Sequence, residues 1–162
     1  MHDITQIYLV RHAEAEGNLY RRIHGQYNSL ITDNGYRQIA ALAHRFSTIQ
    51  VDAVYSSDLF RTCTTAKAVY GPKGLPLNTR PTLREVDMGE WEDKTWGQAA
   101  HEDGDLLRLF NATSPRWQAR GGETFPQVAV RVAGTLREIA RDHRGETVAG
   151  VCHGTAIRCA LG

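Results

Sequence analysis

The amino-acid sequence predicts an α/β fold in three layers, a mainly parallel sheet with helices on both faces. Short apolar runs alternate with stretches of helical periodicity, the pattern of successive strand–helix units. Two helical stretches open on N-cap signals, Thr32 and the box Thr124-Phe125-Pro126-Gln127. The first apolar run, Ile7-Tyr8-Leu9-Val10, reads as a buried strand and passes directly into Arg11-His12-Ala13-Glu14. The C-terminal ends of strands are where open α/β sheets carry their ligand chemistry.

The elements follow in order. A first strand spans roughly Ile4 to Val10, and a polar, Gly-containing loop runs from Ala13 to Ile31. Thr32 caps the next helix, along which Tyr36, Ile39, Ala40, Ala43 and Phe46 recur at helical spacing. A second strand near Val51 to Tyr55 ends at Ser56-Ser57, and either serine can cap the helix that follows. That helix turns Leu59, Cys63, Ala66 and Val69 or Tyr70 inward, and Gly71-Pro72 is expected to stop it. Leu75 to Thr79 makes a weak third strand. From Pro81 to Gly122 the pattern loosens around Trp91, Trp96, Phe110 and Trp117, which suggests a partly helical insertion over one end of the sheet. The box at Thr124, with proline in its first turn, opens a helix carried by Val128, Val132, Leu136, Ile139 and His143 to Gly145. The last strand, Thr147 to Cys152, runs into His153-Gly154-Thr155 and a final helix from Ala156 to Leu161.

A chain of 162 residues is the size of one domain. Hydrophobic content of 41% and charged content of 23% are those of a globular chain and not a disordered one. A formal net charge of +1 makes no electrostatic case for nucleic acid or a membrane surface, and no apolar run approaches the ~20 residues of a span. The opening Met1-His2-Asp3-Ile4-Thr5 lacks the basic-then-apolar profile of a signal peptide. Cys63, Cys152 and Cys159 have no metal-ligand spacing and read as buried reduced thiols of a cytoplasmic protein. The expectation is a monomer or homodimer with neither nucleic acid nor membrane as partner.

In a parallel sheet the ends of the first, second and last strands share one edge, so Arg11, His12, Arg61 and His153 can converge there. Such a pocket suits a phosphoryl group. Arg61, in the first turn of its helix, opposes the helix dipole by ~0.3–1 kcal/mol. An anion held between it and the helix end would account for that, and so would a side chain reaching out to solvent. Taken singly, the other pieces are bland: His153-Gly154 a turn after a strand, Glu85 an exposed acidic loop, Asn18 a loop hydrogen bonder, Gly121-Gly122-Glu123 a flexible turn.

Together they resemble the histidine phosphatase superfamily, the phosphoglycerate mutase-like proteins, and its broad-specificity phosphatase branch in particular. The matching stretches occur in order. They are Leu9-Val10-Arg11-His12-Ala13-Glu14 with Asn18; Gly25-Gln26 with Thr32, Gly35 and Gln38; Ser56-Ser57-Asp58-Leu59-Phe60-Arg61-Thr62 with Thr65-Ala66; Leu83-Arg84-Glu85 with Gly89 and Trp91-Glu92; Gly121-Gly122-Glu123; and Val151-Cys152-His153-Gly154 with Ile157-Arg158. The resemblance implies that His12 is the nucleophile, that Arg11, Arg61 and His153 hold the phosphoryl with Asn18 and Gly154 beside them, and that Glu85 is the general acid and base. It also implies a small phosphorylated metabolite as substrate. Chemistry agrees residue by residue. A neutral imidazole is nucleophilic when its other ring nitrogen donates to a fixed acceptor. Two guanidiniums and a protonated His153 would neutralise the equatorial oxygens, and Glu85 beside a phosphoryl dianion would have a raised pKa. No carboxylate cluster with metal spacing accompanies them, so neither metal nor cofactor is expected.

The chain departs from the family pattern at Ala13, where Gly is common, and at Asn28, Leu30 and Ile31, where Asp, Pro and Leu are frequent. Relatives continue well past the helix after the second histidine. The expectation is therefore a C-terminally truncated domain lacking the usual last strand region, whether the chain is cut short or the natural protein is degenerate there. The short insertion and the Gly89-Glu90-Trp91-Glu92 segment favour a phosphatase over a cofactor-dependent phosphoglycerate mutase, whose insertions are longer. They also favour it over a protein phosphohistidine phosphatase, which lacks that acid-loop segment. A catalytically impaired phospho-ligand-binding scaffold is the non-enzymatic alternative. Candidates for shaping the leaving-group side are Arg22, Trp91, Trp96, Arg108, Arg116, Trp117 and Arg120.

Overall fold

Four strands form one parallel sheet in the computed structural model, which describes residues 3–162. Met1 and His2, where the stretch read for a signal peptide begins, lie outside the described residues. The strands are β1 (Gln6–Arg11), β2 (Ala53–Ser56), β3 (Leu77–Thr79) and β4 (Thr147–Cys152), in the order β1-β4-β2-β3. Pairing of Arg11 with Cys152 and of Ser56 with Val151 aligns the C-terminal ends of β1, β4 and β2 on one edge.

Successive side chains of β4 point to opposite faces. Val148 and Cys152 join Ala53 and Tyr55 of β2 in one core, against Val128, Val132, Ile139 and Ala156. Ala149 and Val151 join Val54 in the other, against Phe46, Ala66 and Val69. The sheet is therefore buried on both sides, the condition under which parallel strands are apolar throughout. Helices α2 (Asp33–Phe46) and α3 (Phe60–Lys73) cover one face, and α6 (Phe125–Asp142) and α7 (Gly154–Leu161) cover the other. A short α1 (Glu16–Leu19) interrupts the first long loop, and α4 (Trp96–Glu102) and α5 (Gly104–Asn111) lie in the insertion.

Thr32 caps α2 by accepting from the Gly35 amide, and Thr124 and Gln127 form a reciprocal capping box on α6. Three local expectations are corrected. The inward stripe of α2 runs Gly35, Ile39, Leu42, Ala43 and Phe46, while Tyr36 and Ala40 face solvent. Gly35 takes an inward place because the Glu14 carbonyl would lie 2.2 Å from a Cβ there. Helix α3 continues through Gly71-Pro72 to Lys73 and stops at Gly74, whose φ of 65° is left-handed. Neither Ser56 nor Ser57 caps α3: the Phe60 amide donates to Asn28 Oδ1 at 2.7 Å, so a loop residue closes that helix end.

The insertion is partly helical and packs onto the α6 side of the sheet. Trp91 and Trp117 are core residues, with Trp117 stacked on Phe125 at 4.8 Å and set edge-on to Phe110 at 5.1 Å. The chain enters and leaves the insertion at a crossing. The Glu90 amide donates to the Arg120 carbonyl and the Glu123 amide to the Asp87 carbonyl, both at 2.9 Å. A Cβ on Gly89 would lie 2.2 Å from the Arg120 oxygen, and one on Gly122 would lie 2.4 Å from the Asp87 oxygen. Of the cysteines only Cys152 is buried; Cys63 and Cys159 are partly exposed, and all three are free thiols. Among the described residues no helix is long and apolar enough to cross a membrane.

Candidate active site

The aligned strand ends converge on a cavity of about 440 Å³. Arg11 ends β1 and His12 follows it, both lining this cavity. The His12 ring is buried, with 8% of its surface exposed. Its Nδ1 lies 2.7 Å from the carbonyl of Ala13. A carbonyl only accepts, so Nδ1 carries the proton and Nε2 keeps its lone pair. This is the fixed acceptor that a nucleophilic imidazole requires. The Ala13 amide in turn donates to Thr65 Oγ1, which donates to the Arg61 carbonyl, tying the β1 loop to α3. Burial, with Arg61, His24 and Arg11 close by, lowers the His12 pKa to about 3, against the pull of its bond to Ala13. The ring is neutral at physiological pH.

Arg61 is fully buried, which rules out the solvent-reaching reading of that side chain. Its Nη1 and Nη2 donate to the carbonyls of Tyr27 and Gly25 at 2.5 and 2.6 Å, and it lines the same cavity as His12. Burial lowers its pKa to about 10, still far above neutrality. The Gly25 turn that receives it has a φ of 51°, open to glycine at little cost.

His153 sits beneath this floor, fully buried as the N-cap residue of α7, with its ring centroid 5.3 Å from that of His12. It was expected to be protonated, and the structure corrects this. Burial, then Arg61 and the neighbouring imidazoles, hold its pKa well below the ordinary histidine value. Its Nε2 lies 2.8 Å from Ser57 Oγ. Gly154 follows, and a Cβ there would lie 3.2 Å from Arg11 Nε, so the glycine makes room for the guanidinium. Asn18 lines the cavity with its Oδ1 taken by the Ala15 amide, which leaves its NH₂ group as the available end.

Glu85 reaches the cavity from the insertion side and is not the exposed loop residue it resembles in isolation. Its Oε1 accepts from the Val86 and Ala156 amides at 2.9 and 2.8 Å, and its Oε2 from the Thr155 amide at 3.1 Å. Two of those donors are the orphan amides of the first turn of α7. Its pKa is raised, by burial in the first place, with the three amides and Arg61 pulling the other way. Burial produces the shift that was expected from a phosphoryl neighbour. The main chain at Glu85 is fixed from α6, where Arg131 donates to the Arg84 and Glu85 carbonyls and pairs in a fork with Glu123.

Six of the seven residues expected at the site line the cavity, and His153 lies behind them against the His12 ring. Of the seven side chains proposed for the leaving-group side, only Arg22 and Trp96 line the cavity. Trp91 and Trp117 are core, Arg108 and Arg120 are exposed and pair with Asp105 and Glu90, and Arg116 lies away from the cavity. Arg21, Phe110 and Arg158 line it instead, together with His24, whose pKa burial lowers to about 4. Sequence reasoning also missed Ser57 and Arg131. Arg131 left a trace, a charge three residues after Val128 on the inward stripe of α6. Ser57 left none beyond its look of a cap.

Comparison with known proteins gives a consistent picture. A family model described as the histidine phosphatase superfamily (branch 1) matches residues 7–162. A metal-independent phosphoserine phosphatase from Arabidopsis thaliana is 34% identical over 162 residues, covering 96% of this chain and 67% of that one. A protein from Enterobacter sp. (strain 638) named "probable phosphoglycerate mutase GpmB" is 32% identical over 156 residues, covering 96% and 73%. The solved structure of Bacillus stearothermophilus YhfR superposes with a TM-score of 0.92 at 31% identity, over 97% of this chain and 78% of that one.

Proposed function

The chain belongs to the histidine phosphatase superfamily, branch 1, and from that premise we propose that it hydrolyses phosphomonoesters through a phosphohistidine on His12. It is a phosphoric monoester hydrolase. The observation that carries the role of His12 is its bond to the Ala13 carbonyl, which holds a neutral ring with Nε2 free on the wall of a cationic cavity. Nε2 attacks phosphorus while the ester P–O bond breaks, and Glu85 gives its proton to the departing alkoxide. The Glu85 carboxylate then takes a proton from water, whose oxygen attacks phosphorus. The N–P bond breaks, and inorganic phosphate leaves a neutral His12.

Arg11 and Arg61 neutralise charge on the transferring oxygens, with the Asn18 amide group and His153 beside them. The three amides on Glu85 aim its carboxyl. Its raised pKa suits a group that starts protonated. Hydrolysis needs no metal in this scheme, in keeping with the name of the Arabidopsis thaliana relative.

The substrate is a small phosphorylated metabolite. Arg21, Arg22 and Arg158 line the outer part of the cavity beside Trp96 and Phe110. That wall suits a leaving group with a negative charge of its own, such as the hydroxy acid released from a phosphorylated hydroxy acid. Turnover of p-nitrophenyl phosphate, phosphoserine and 3-phosphoglycerate in EDTA, with alkaline quenching and mass mapping of His12, tests the proposal. A phosphoryl on His12 and release of phosphate are expected. Turnover with an unlabelled His12 would overturn the role of that residue. Exchange between phosphoglycerate isomers outpacing release would indicate a mutase, and saturable binding without release a scaffold.

A further inference from the structure

His153 has two ring nitrogens, and the structure satisfies one of them. Nε2 lies 2.8 Å from Ser57 Oγ, while Nδ1 is buried with no hydrogen-bond partner among the described residues. Ser57 Oγ is 2.6 Å from Thr62 Oγ1, which in turn reaches the Leu59 and Ser57 carbonyls at 2.9 and 3.1 Å. Each hydroxyl carries one proton, so this chain of bonds can run in only two directions if the ring is neutral. In one, Nε2–H donates to Ser57, Ser57 to Thr62, and Thr62 to a carbonyl. In the other, Thr62 turns its proton from the carbonyls to Ser57, Ser57 donates to Nε2, and the ring proton sits on Nδ1.

We propose that Ser57 is a positioning residue for His153, and that with a phosphoryl group in the site it donates to Nε2, so that His153 presents a neutral Nδ1–H to the phosphoryl oxygens. The inference rests on the phosphohistidine reading above. Phosphoryl oxygens only accept hydrogen bonds. A bare Nδ1 lone pair would oppose them, so the unpartnered nitrogen must carry a proton. An imidazolium would supply one too, but the ring lacks solvent, and Arg61, Arg131, His12 and His24 all disfavour a further positive charge there. The two hydroxyls produce the same donor without adding charge. Ring, Ser57 and Thr62 keep one proton each in both directions; the ring proton changes nitrogen and the hydroxyls rotate. Ser57 is available for this because Asn28 closes the end of α3 in its place.

Nitrogen-15 spectra of histidine-labelled protein at pH 7, with orthovanadate as the phosphoryl mimic, report the tautomer directly. Protonated Nδ1 with unprotonated Nε2 is expected at His153. An imidazolium, or a proton on Nε2 alone, overturns the inference. Kinetics give an independent arm. Ser57→Ala should lower kcat by about 100-fold with little change in KM, as expected when a group that aids the transition state is misaimed. Ser57→Thr, which keeps the hydroxyl, should restore activity at pH 7. A Ser57→Ala enzyme with wild-type kcat, or a Ser57→Thr enzyme as slow as Ser57→Ala, overturns the role of Ser57. Mass mapping of the wild type separates the two levels. An unlabelled His12 sinks the phosphohistidine reading, whereas a labelled His12 with an imidazolium at 153 sinks the tautomer alone.

Discussion

The floor of the cavity and its rim carry the same kind of charge under opposite conditions. On the floor, Arg61 is fully buried, with both terminal nitrogens committed to the carbonyls of Gly25 and Tyr27. On the rim, Arg21, Arg22 and Arg158 are exposed, and among the described residues only Arg22 has a partner, the Asp93 side chain and carbonyl. A buried guanidinium is held in place before any substrate arrives, at a desolvation cost that the fold offsets. An exposed one is screened by water and salt and fixes little until a ligand meets it. On the proposed mechanism, bond-breaking belongs to the floor and substrate preference to the rim.

The contrast breaks most directly at His12. Replacement by Ala should bring turnover of every ester to background, and residual turnover through a phosphoenzyme would contradict the nucleophile. Arg61→Met comes next. It should cost about 10²–10³ in kcat, as for loss of a preorganised charge donor, and should lower Tm because two loop carbonyls lose their donors. Glu85→Gln should cost about 10²–10⁴ with alkyl phosphates and much less with p-nitrophenyl phosphate, whose leaving group needs no proton. An equal loss across leaving groups would remove Glu85 from the acid role.

Acidification sharpens the comparison through stability. His12, His24 and His153 all have folded pKa values below the ordinary histidine value, to about 3 and about 4 for the first two. As the pH drops below about 6.5 the unfolded chain binds protons that the folded one refuses. The stability these rings contribute is therefore full above that point and is lost toward about pH 3. Glu85 and Glu92, with raised pKa values, work in the opposite sense, but three rings oppose two carboxyls. Tm should fall from pH 7.5 to pH 4.5, and His24→Gln should flatten the decline. A Tm that rises on acidification would contradict the neutral rings.

The smallest effect belongs to the rim. Arg21→Ala and Arg158→Ala should shift stability by less than about 0.5 kcal/mol and leave kcat for p-nitrophenyl phosphate intact. KM for phosphoglycerate should rise about tenfold, the equivalent of about 1.4 kcal/mol. Equal losses with charged and uncharged leaving groups would place these arginines in the chemistry.

Floor and rim also differed in how far they could be read from sequence. Arg11, His12, Arg61 and His153 were legible because each follows a strand end or opens a helix, and parallel pairing forces those junctions onto one edge. The strands were legible as short apolar runs set between helical stretches. Ser57 was misread as a cap because the acceptor that closes the helix end, Asn28, lies in a loop 32 residues before Phe60, and sequence spacing carries no information on such contacts. The rim failed more broadly. Whether a tryptophan in an irregular segment faces core or cavity depends on tertiary packing, so Trp91 and Trp117 look no different from Trp96. The protonation of His153 was misjudged because charge alone was weighed, whereas depth of burial decides it.

The crossing at Gly89 and Gly122 has a consequence for how such a protein diversifies. Backbone bonds on either side of the two glycines fasten the start of the insertion to its end, while the Arg131–Glu123 fork secures Glu85 just outside the knot. Exposed residues between the fastened points, unlike the core residues Trp91 and Trp117, can be exchanged while Glu85 stays aimed. The leaving-group wall can then be rebuilt without moving the residues beneath it.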